Sequence, residues 1–482
     1  MNSNKVVSGF FWRFLERCGA QGVTFIVSII LSRLLDPSVY GTIALVTVFT
    51  TIMQVFVDSG MGNALIQKKD ADEMDFSSVF WFNLCVCSIL YVIMLLIAPF
   101  IAEFYKMPEL TLIIRVLSLI LIISGVKNVQ QAYVSRNMLF KRFFFSTLGG
   151  TIGAAVVGIA MAYMGYGVWA LVSQMLFNAA VDTTILWITV KWRPKKTFSW
   201  ERLKGLFSFG WKLLASSLID TVYKDLTQLI IGKKYSSFDL AFYNKGDQFP
   251  KLIVTNINAS IDSVLLPTMS KSQDKLSVVK NITRRSIKTS TYIMMPLMVG
   301  LAVCAESLVS LILTDKWLPC VPFLRVFCFT YAFYPIHTAN LNAIKALGRS
   351  DLFLKLEILK KIVDMTVILI TMWISVEAMA YSLLITSILS QIINSWPNNK
   401  LLKYNYLQQL SDIIPQIGLA CLMGGIVYMV TWLHLNNLIT LLIQIVIGCG
   451  VYGVGSKLFR IDSFEYILSM AKGLLRRKRN NT

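Results

Sequence analysis

The sequence predicts an all-α polytopic membrane protein of about 14 transmembrane helices, in two six-helix halves followed by an extra helix pair. Three observations predict it. Residues 77–102, 143–181, 378–399 and 413–456 contain no Asp, Glu, Lys or Arg, and a helix crosses a bilayer with roughly 20 such residues. The composition is 55% hydrophobic and only 15% charged, with a mean hydropathy of +0.62. Polar residues inside the apolar stretches recur every three or four positions, the period of a helix. A helix is also the form in which a lipid-embedded backbone satisfies its own hydrogen bonds.

The spans follow in order. The first covers 8–33, although Arg13, Glu16 and Arg17 interrupt it, and stops before Asp36-Pro37. Spans 40–65, 77–102 and 110–132 come next. The run beginning at 143 is too long for one helix and breaks at Gly165-Tyr166-Gly167, leaving spans 143–163 and 167–190. Spans 205–232, 240–268, 288–305, 320–345, 354–374 and 377–397 form the second half. The last apolar run breaks at His434-Leu435-Asn436-Asn437 into 412–433 and 437–457. The segment from Phe464 to Leu475, ending in Arg476-Arg477-Lys478-Arg479, reads as an amphipathic helix lying on anionic lipid. The expected organisation is therefore a six-helix bundle over 1–195, a second over 200–403, an appended pair over 410–459 and a basic cytoplasmic tail over 460–482. Connections are short and leave no room for a soluble domain. No cleavable signal is expected, because no small-residue cleavage site follows the first apolar stretch.

A net charge of +20 would suggest nucleic acid in a soluble protein. Here alternate connections hold most of the Lys and Arg, among them Arg136, Lys141, Arg142, Lys196, Lys280, Arg284 and Lys403. That asymmetry orients the chain, with both termini in the cytoplasm, and nucleic acid is excluded as a partner. The eight cysteines have neither metal-ligand nor CxxC spacing and read as buried small hydrophobes, Cys320 near the outer boundary excepted. No metal or cofactor is expected. A Walker motif is absent, and outer loops of a few residues, except near 306–319, leave little place for a glycosyltransferase centre. The reading is a non-enzyme.

The halves repeat. Phe11-Trp12-Arg13-Phe14-Leu15 corresponds to Gly210-Trp211-Lys212-Leu213-Leu214, and Leu35-Asp36-Pro37-Ser38 to Tyr235-Ser236-Ser237-Phe238, at an offset of 200 residues. Ile114-Arg115-Val116 matches Leu324-Arg325-Val326 at an offset of 210, and there the Gly165 turn falls on Ser375-Val376-Glu377. Six helices per half make the repeats parallel, with the natural place for a substrate between them.

Charges inside spans are costly and mark aqueous cavities or partners. Arg13, Arg17, Gln21, Thr24 and Ser28 share one face of the first span. Lys212, Ser216, Asp220, Lys224 and Thr227 share one face of the seventh, with Asp225 on the flank. Asn244, Gln248, Lys251, Thr255, Asn258 and Asp262 stripe the eighth, and Thr47, Thr51, Gln54 and Asp58 the second. These spans are expected to line a hydrated cavity, and the nearly charge-free third, fifth, sixth and last three spans to face lipid or pack. Plainer readings stand beside this one. Arg13 and Arg17 could snorkel to phosphates, Asp220 and Lys224 could be a structural pair, and Asp58 could be a boundary residue. His337 reads as a satisfied interior histidine, and Gly149-Gly150…Gly153 and Gly448…Gly455 as close helix packing.

Phe11-Trp12-Arg13-Phe14-Leu15-Glu16-Arg17, Ser32-Arg33-Leu34-Leu35-Asp36-Pro37 with Tyr40-Gly41, and Asp58-Ser59-Gly60-Met61-Gly62 with Ala64-Leu65-Ile66-Gln67 resemble the Wzx-type polysaccharide transporters. These belong to the multidrug/oligosaccharidyl-lipid/polysaccharide exporter superfamily, and the colanic-acid-exporter-like branch is the nearest. The resemblance covers the whole chain and is strongest over the first 80 residues. It implies a flippase of the bacterial inner membrane that carries undecaprenyl-diphosphate-linked oligosaccharide to the periplasmic leaflet, with membrane lipids, a polysaccharide polymerase and chain-length proteins as partners. Arg13, Arg17, Lys212, Lys224 and Lys251 lie in the helices that supply the family's cationic cavity, and Asp58, Asp220 and Asp225 are the ion-coupling candidates. A lipid II flippase, a cation-coupled drug exporter of the same superfamily and a membrane glycosyltransferase are the alternatives.

Overall fold

The protein, seen in a computed structural model, is described over residues 3–58, 61–68 and 70–479. Its contacts divide it into two compact units, 1–241 and 242–482.

In the first unit, α1 (Ser3–Leu34) is followed by α2 (Pro37–Asp58), a short α3 (Met61–Gln67), α4 (Glu73–Tyr105), α5 (Leu110–Leu117) and α6 (Leu119–Arg136). Then come α7 (Phe140–Tyr163), α8 (Val168–Thr189) and α9 (Trp200–Lys234), and the unit ends in the first turn of α10 (Ser237–Ser270). The second span, expected over 40–65, is met by α2 and α3 on either side of residues 59–60, which lie outside the described residues. The α7–α8 turn has Gly165 at φ +81° and Gly167 at φ +53°, a region that costs a side chain free energy and costs glycine almost none.

Apolar packing holds the bundle. Leu31, Val46, Met94, Ile114, Leu117, Leu121 and Val172 lie in one core, and Leu65, Val79, Phe80, Val129, Leu186 and Val190 in a second. The α7–α8 approach is set by Gly150, where an added Cβ would stand 3.0 Å from the Asn178 carbonyl oxygen. Between α8 and α9 the chain is pinned to α4: the Ser77 and Ser78 hydroxyls accept from the Lys195 and Ser199 amides at 3.0 and 2.9 Å. Asp72 caps α4 by accepting from the Met74 and Asp75 amides, and Asp75 answers with a bond from the Asp72 amide. Arg202 in the first turn of α9 binds Asp72 and holds its carboxyl at about 2, well below the usual range. The first compact unit takes in α9.

The second unit continues through α11 (Leu276–Val303), α12 (Ala305–Leu313), a 3-10 turn (Asp315–Cys320), α13 (Val321–Ala332) and α14 (Tyr334–Ala346). After these come α15 (Ser350–Thr371), α16 (Val376–Leu402), α17 (Tyr406–Met429), α18 (Asn437–Leu458) and α19 (Asp462–Arg479). The stretch read as an outer loop near 306–319 is largely α12. Each unit has a span interrupted by a short break, at Ser118 in one and Phe333 in the other. In each an arginine ahead of the break donates to a carbonyl of the preceding span: Arg115 to Leu95 at 3.3 Å, Arg325 to Ala302 at 3.2 Å.

The helix pair α17–α18 is built into its unit. Gln409 of α17 joins a buried amide cluster, accepting from Asn340 at 2.7 Å and Ser395 at 3.1 Å, while Asn398 donates to Asn340 at 2.6 Å. Arg284 of α11 grips both oxygens of Asp412 at 2.5 and 2.6 Å. His337 is buried, its Nδ1 bonded to the Asn394 amide at 2.9 Å. Among the described residues twelve helical segments are long and apolar enough to cross a membrane. The long helices α9 and α15 fall outside that set, and with them it reaches about 14. The cysteines depart from expectation. Cys320 is wholly buried, whereas Cys18, Cys85, Cys421 and Cys449 are exposed, as a weakly polar thiol on an apolar helix surface in lipid can be.

Candidate functional site

Within the first unit, α1 and α7 begin where α2 and α6 finish, and at that end lies a polar pocket of about 430 Å³. The basic residues Lys68, Arg136 and Lys141 stand at the same end of the bundle. Its wall is assembled from five helices: Arg13 and Glu16 of α1, Gln54 and Asp58 of α2, Gly62 and Ile66 of α3, Ser124 to Ser135 of α6, and Phe143 and Thr147 of α7.

Asn128 ties α6 to the end of α2, its amide donating to the Val57 carbonyl at 3.1 Å and to Asp58 at 3.4 Å. An added Cβ on Gly62 would sit 2.8 Å from Asn128 Oδ1, so α3 can approach α6 only with glycine there. Arg136 closes the far side of α3 by donating to the Leu65 and Lys68 carbonyls.

The charges in the pocket are mutually bonded. Arg13 Nη1 donates to Glu16 at 2.6 Å, and its guanidinium carbon lies 5.0 Å from the centre of the Phe143 ring. Glu16 also accepts from Thr147 at 3.3 Å. Lys127 is held by Asp182 of α8 at 3.0 Å, with side-chain exposures of 21% and 12%. Asp58 accepts from Gln54 at 3.1 Å. By contrast the side chains of Ser124, Gln131 and Ser135 make no hydrogen bond to described residues.

Of the residues singled out from sequence, the pocket brings together Arg13 and Asp58. Arg17 is exposed one turn further along α1. The side chain of Lys212 lies outside the described residues. Lys224 pairs with Asp220 at 2.6 Å, and Asp225 accepts from Gln228 at 3.2 Å. Lys251, in the second unit, is bonded to Asp247 at 2.9 Å, and the same carboxylate accepts from Tyr331 at 2.6 Å. Lys127, Asp182, Asn128 and Gln131 were not singled out. The sixth span was expected to be structural, yet its Asp182 anchors the pocket's lysine. No spacing rule joins residues on different helices, and a lone acid closing the charge-free run 143–181 was the available signal. Among the described residues no group of His, Cys, Asp and Glu gathers to hold a metal ion.

The site is a charged and amide-lined pocket set among helices apolar enough to cross a membrane. The family model for polysaccharide biosynthesis proteins matches residues 30–322, and the chain belongs to that family. Over 311 residues it is 28% identical to the teichuronic acid biosynthesis protein TuaB of Bacillus subtilis (strain 168), a match spanning 63% of each chain. Over 363 residues it is 23% identical to the lipopolysaccharide biosynthesis protein WzxC of Escherichia coli (strain K12), covering 74% of this chain and 73% of that one. The chain thus spans less than two thirds of TuaB's own length. Its fold is that of the lipid II flippase MurJ in the inward closed conformation, with a TM-score of 0.73 at 14% identity, over 95% of this chain and 99% of that one.

Proposed function

We propose that the protein moves undecaprenyl-diphosphate-linked oligosaccharide from the cytoplasmic to the periplasmic leaflet of a bacterial inner membrane, by alternating access of two bundles. The observation that carries the reading is the pocket at the basic end of the first bundle, in a chain of the polysaccharide biosynthesis family. Basic connections face the cytoplasm, so the pocket opens towards the leaflet in which the lipid-linked sugar is made. A diphosphate cannot cross hydrocarbon unshielded, and a hydrated cavity with arginine and lysine shields it.

Arg13 uses one nitrogen for Glu16, and the rest of its fork of donors is turned to the diphosphate. Arg17, Lys212, Lys224 and Lys251 extend the cationic path, and the polyprenyl tail stays in lipid. Asp58, bonded by neutral amides, is the first candidate for coupling to an ion gradient, with Asp220 and Asp225 behind it. The two bundles, 1–195 and 200–403, rock about the substrate, and both termini remain cytoplasmic. The chain carries out no bond-making step of its own, and a polymerase and chain-length proteins take over the delivered unit.

The test is export of polymer by cells in which the chromosomal copy is replaced. Arg13→Glu and Lys212→Glu should each abolish export at normal protein levels, and Arg13→Lys should retain more than Arg13→Ala, because lysine lacks the bidentate fork. Full export by Arg13→Ala/Lys212→Ala at normal levels would overturn the assignment.

A further inference from the structure

Ser124, the adjacent Lys127 and Asn128, Gln131 and Ser135 recur down α6 every three or four residues, and so form a single stripe on the pocket wall. The charged member, Lys127, is committed to Asp182, and Asn128 to Val57 and Asp58. What remains open is uncharged: one primary amide and two hydroxyls, with half-buried Gln131 and Ser135 nearest the mouth. Opposite them the pocket offers apolar surface, the Phe143 ring and Ile66. A diphosphate seated against this stripe, beyond Arg13, would face the Asp58 carboxylate. A pyranose would not: its hydroxyl edge meets amide and hydroxyl groups that both donate and accept, and its C–H face meets the ring. The volume, about 430 Å³, lies within the roughly 300–1,000 Å³ of ligand sites and holds a short glycan.

We infer that this pocket is the sugar subsite: Gln131 and Ser135, with Phe143, read the uncharged face of the sugars nearest the diphosphate, and Arg13 marks where glycan ends and diphosphate begins. The inference rests on the flippase reading. It divides the substrate between two parts of the site, so that sugar selectivity and diphosphate binding are separable by mutation.

The experiment measures binding to purified full-length protein of two probes. One is undecaprenyl diphosphate without sugar. The other is the lipid-linked oligosaccharide that accumulates in cells lacking this protein. Gln131→Met/Ser135→Ala preserves volume and removes the free hydrogen-bonding groups. It should weaken the sugar-bearing probe roughly thirtyfold, as two lost hydrogen bonds would, and leave undecaprenyl diphosphate unchanged, which also reports that the variant is folded. Arg13→Ala should weaken both probes. Equal loss for both probes in the double variant, or no loss for the sugar-bearing probe, overturns the subsite. Binding of neither probe to the wild type overturns the flippase reading and the subsite with it.

Discussion

Asp182→Leu strands the Lys127 ammonium between apolar helices, and the structure sets the size of the effect. At 3.0 Å and an effective dielectric of about 20, the lost attraction is about 5.5 kcal/mol. Lys127 keeps 21% of its side-chain surface exposed, so solvent recovers part of this and the expected loss falls to roughly 3–4 kcal/mol, within the range for a buried pair that loses one partner. The converse variant, Lys127→Met, leaves Asp182 charged and costs a similar amount, because Asp182 Oδ1 already has no partner. Replacing both, as Lys127→Met/Asp182→Leu, removes both desolvated charges and should recover most of the stability. Thermal denaturation of the purified protein in detergent reads all four corners of the cycle. A single variant as stable as the wild type, or a double variant as unstable as either single one, would refute the reasoning.

Other predictions follow from close contacts and caps. Asn128→Leu removes the bonds that tie α6 to Val57 and Asp58 of α2 and should cost about 1–3 kcal/mol, seen as a lower melting temperature. Gly246→Ala would place its Cβ 2.7 Å from Phe323 Cβ and 2.8 Å from the Leu324 amide nitrogen. Backbone cannot yield there as a flexible side chain can, so a loss of about 1–3 kcal/mol or more is expected. Asp72→Ala removes the α4 cap at about 1 kcal/mol. Because Arg202 lowers the Asp72 carboxyl from 3.8 to about 2, its contribution is complete above the unfolded value and is lost as pH falls through the folded one. Wild type and Asp72→Ala should therefore melt further apart at pH 6 than at pH 2.

Much of this fold was legible in the sequence. A span needs a run of apolar residues and an end signal, and both are local. The Gly165-Tyr166-Gly167 turn, the His434 turn with φ +47°, and the tail that became α19 were all visible for that reason. The pocket was legible only in halves. Arg13 and Asp58 stood out as charges in apolar stretches, with Glu16 and Gln54 one turn away on their own helices, but the bond from Asn128 and the pair Lys127–Asp182 depend on which helix faces touch.

The most direct test of the account is translocation itself. Full-length protein is reconstituted into liposomes carrying fluorescent lipid-linked oligosaccharide from cells that lack it, and the fraction of label reached by a membrane-impermeant quencher is followed in time. The account predicts that wild-type protein makes inner-leaflet label accessible, that Arg13→Glu does not, and that Gln131→Met/Ser135→Ala does so slowly while still binding undecaprenyl diphosphate. Liposomes with wild-type protein that behave like protein-free liposomes, or an Arg13→Glu variant as fast as wild type, would contradict it.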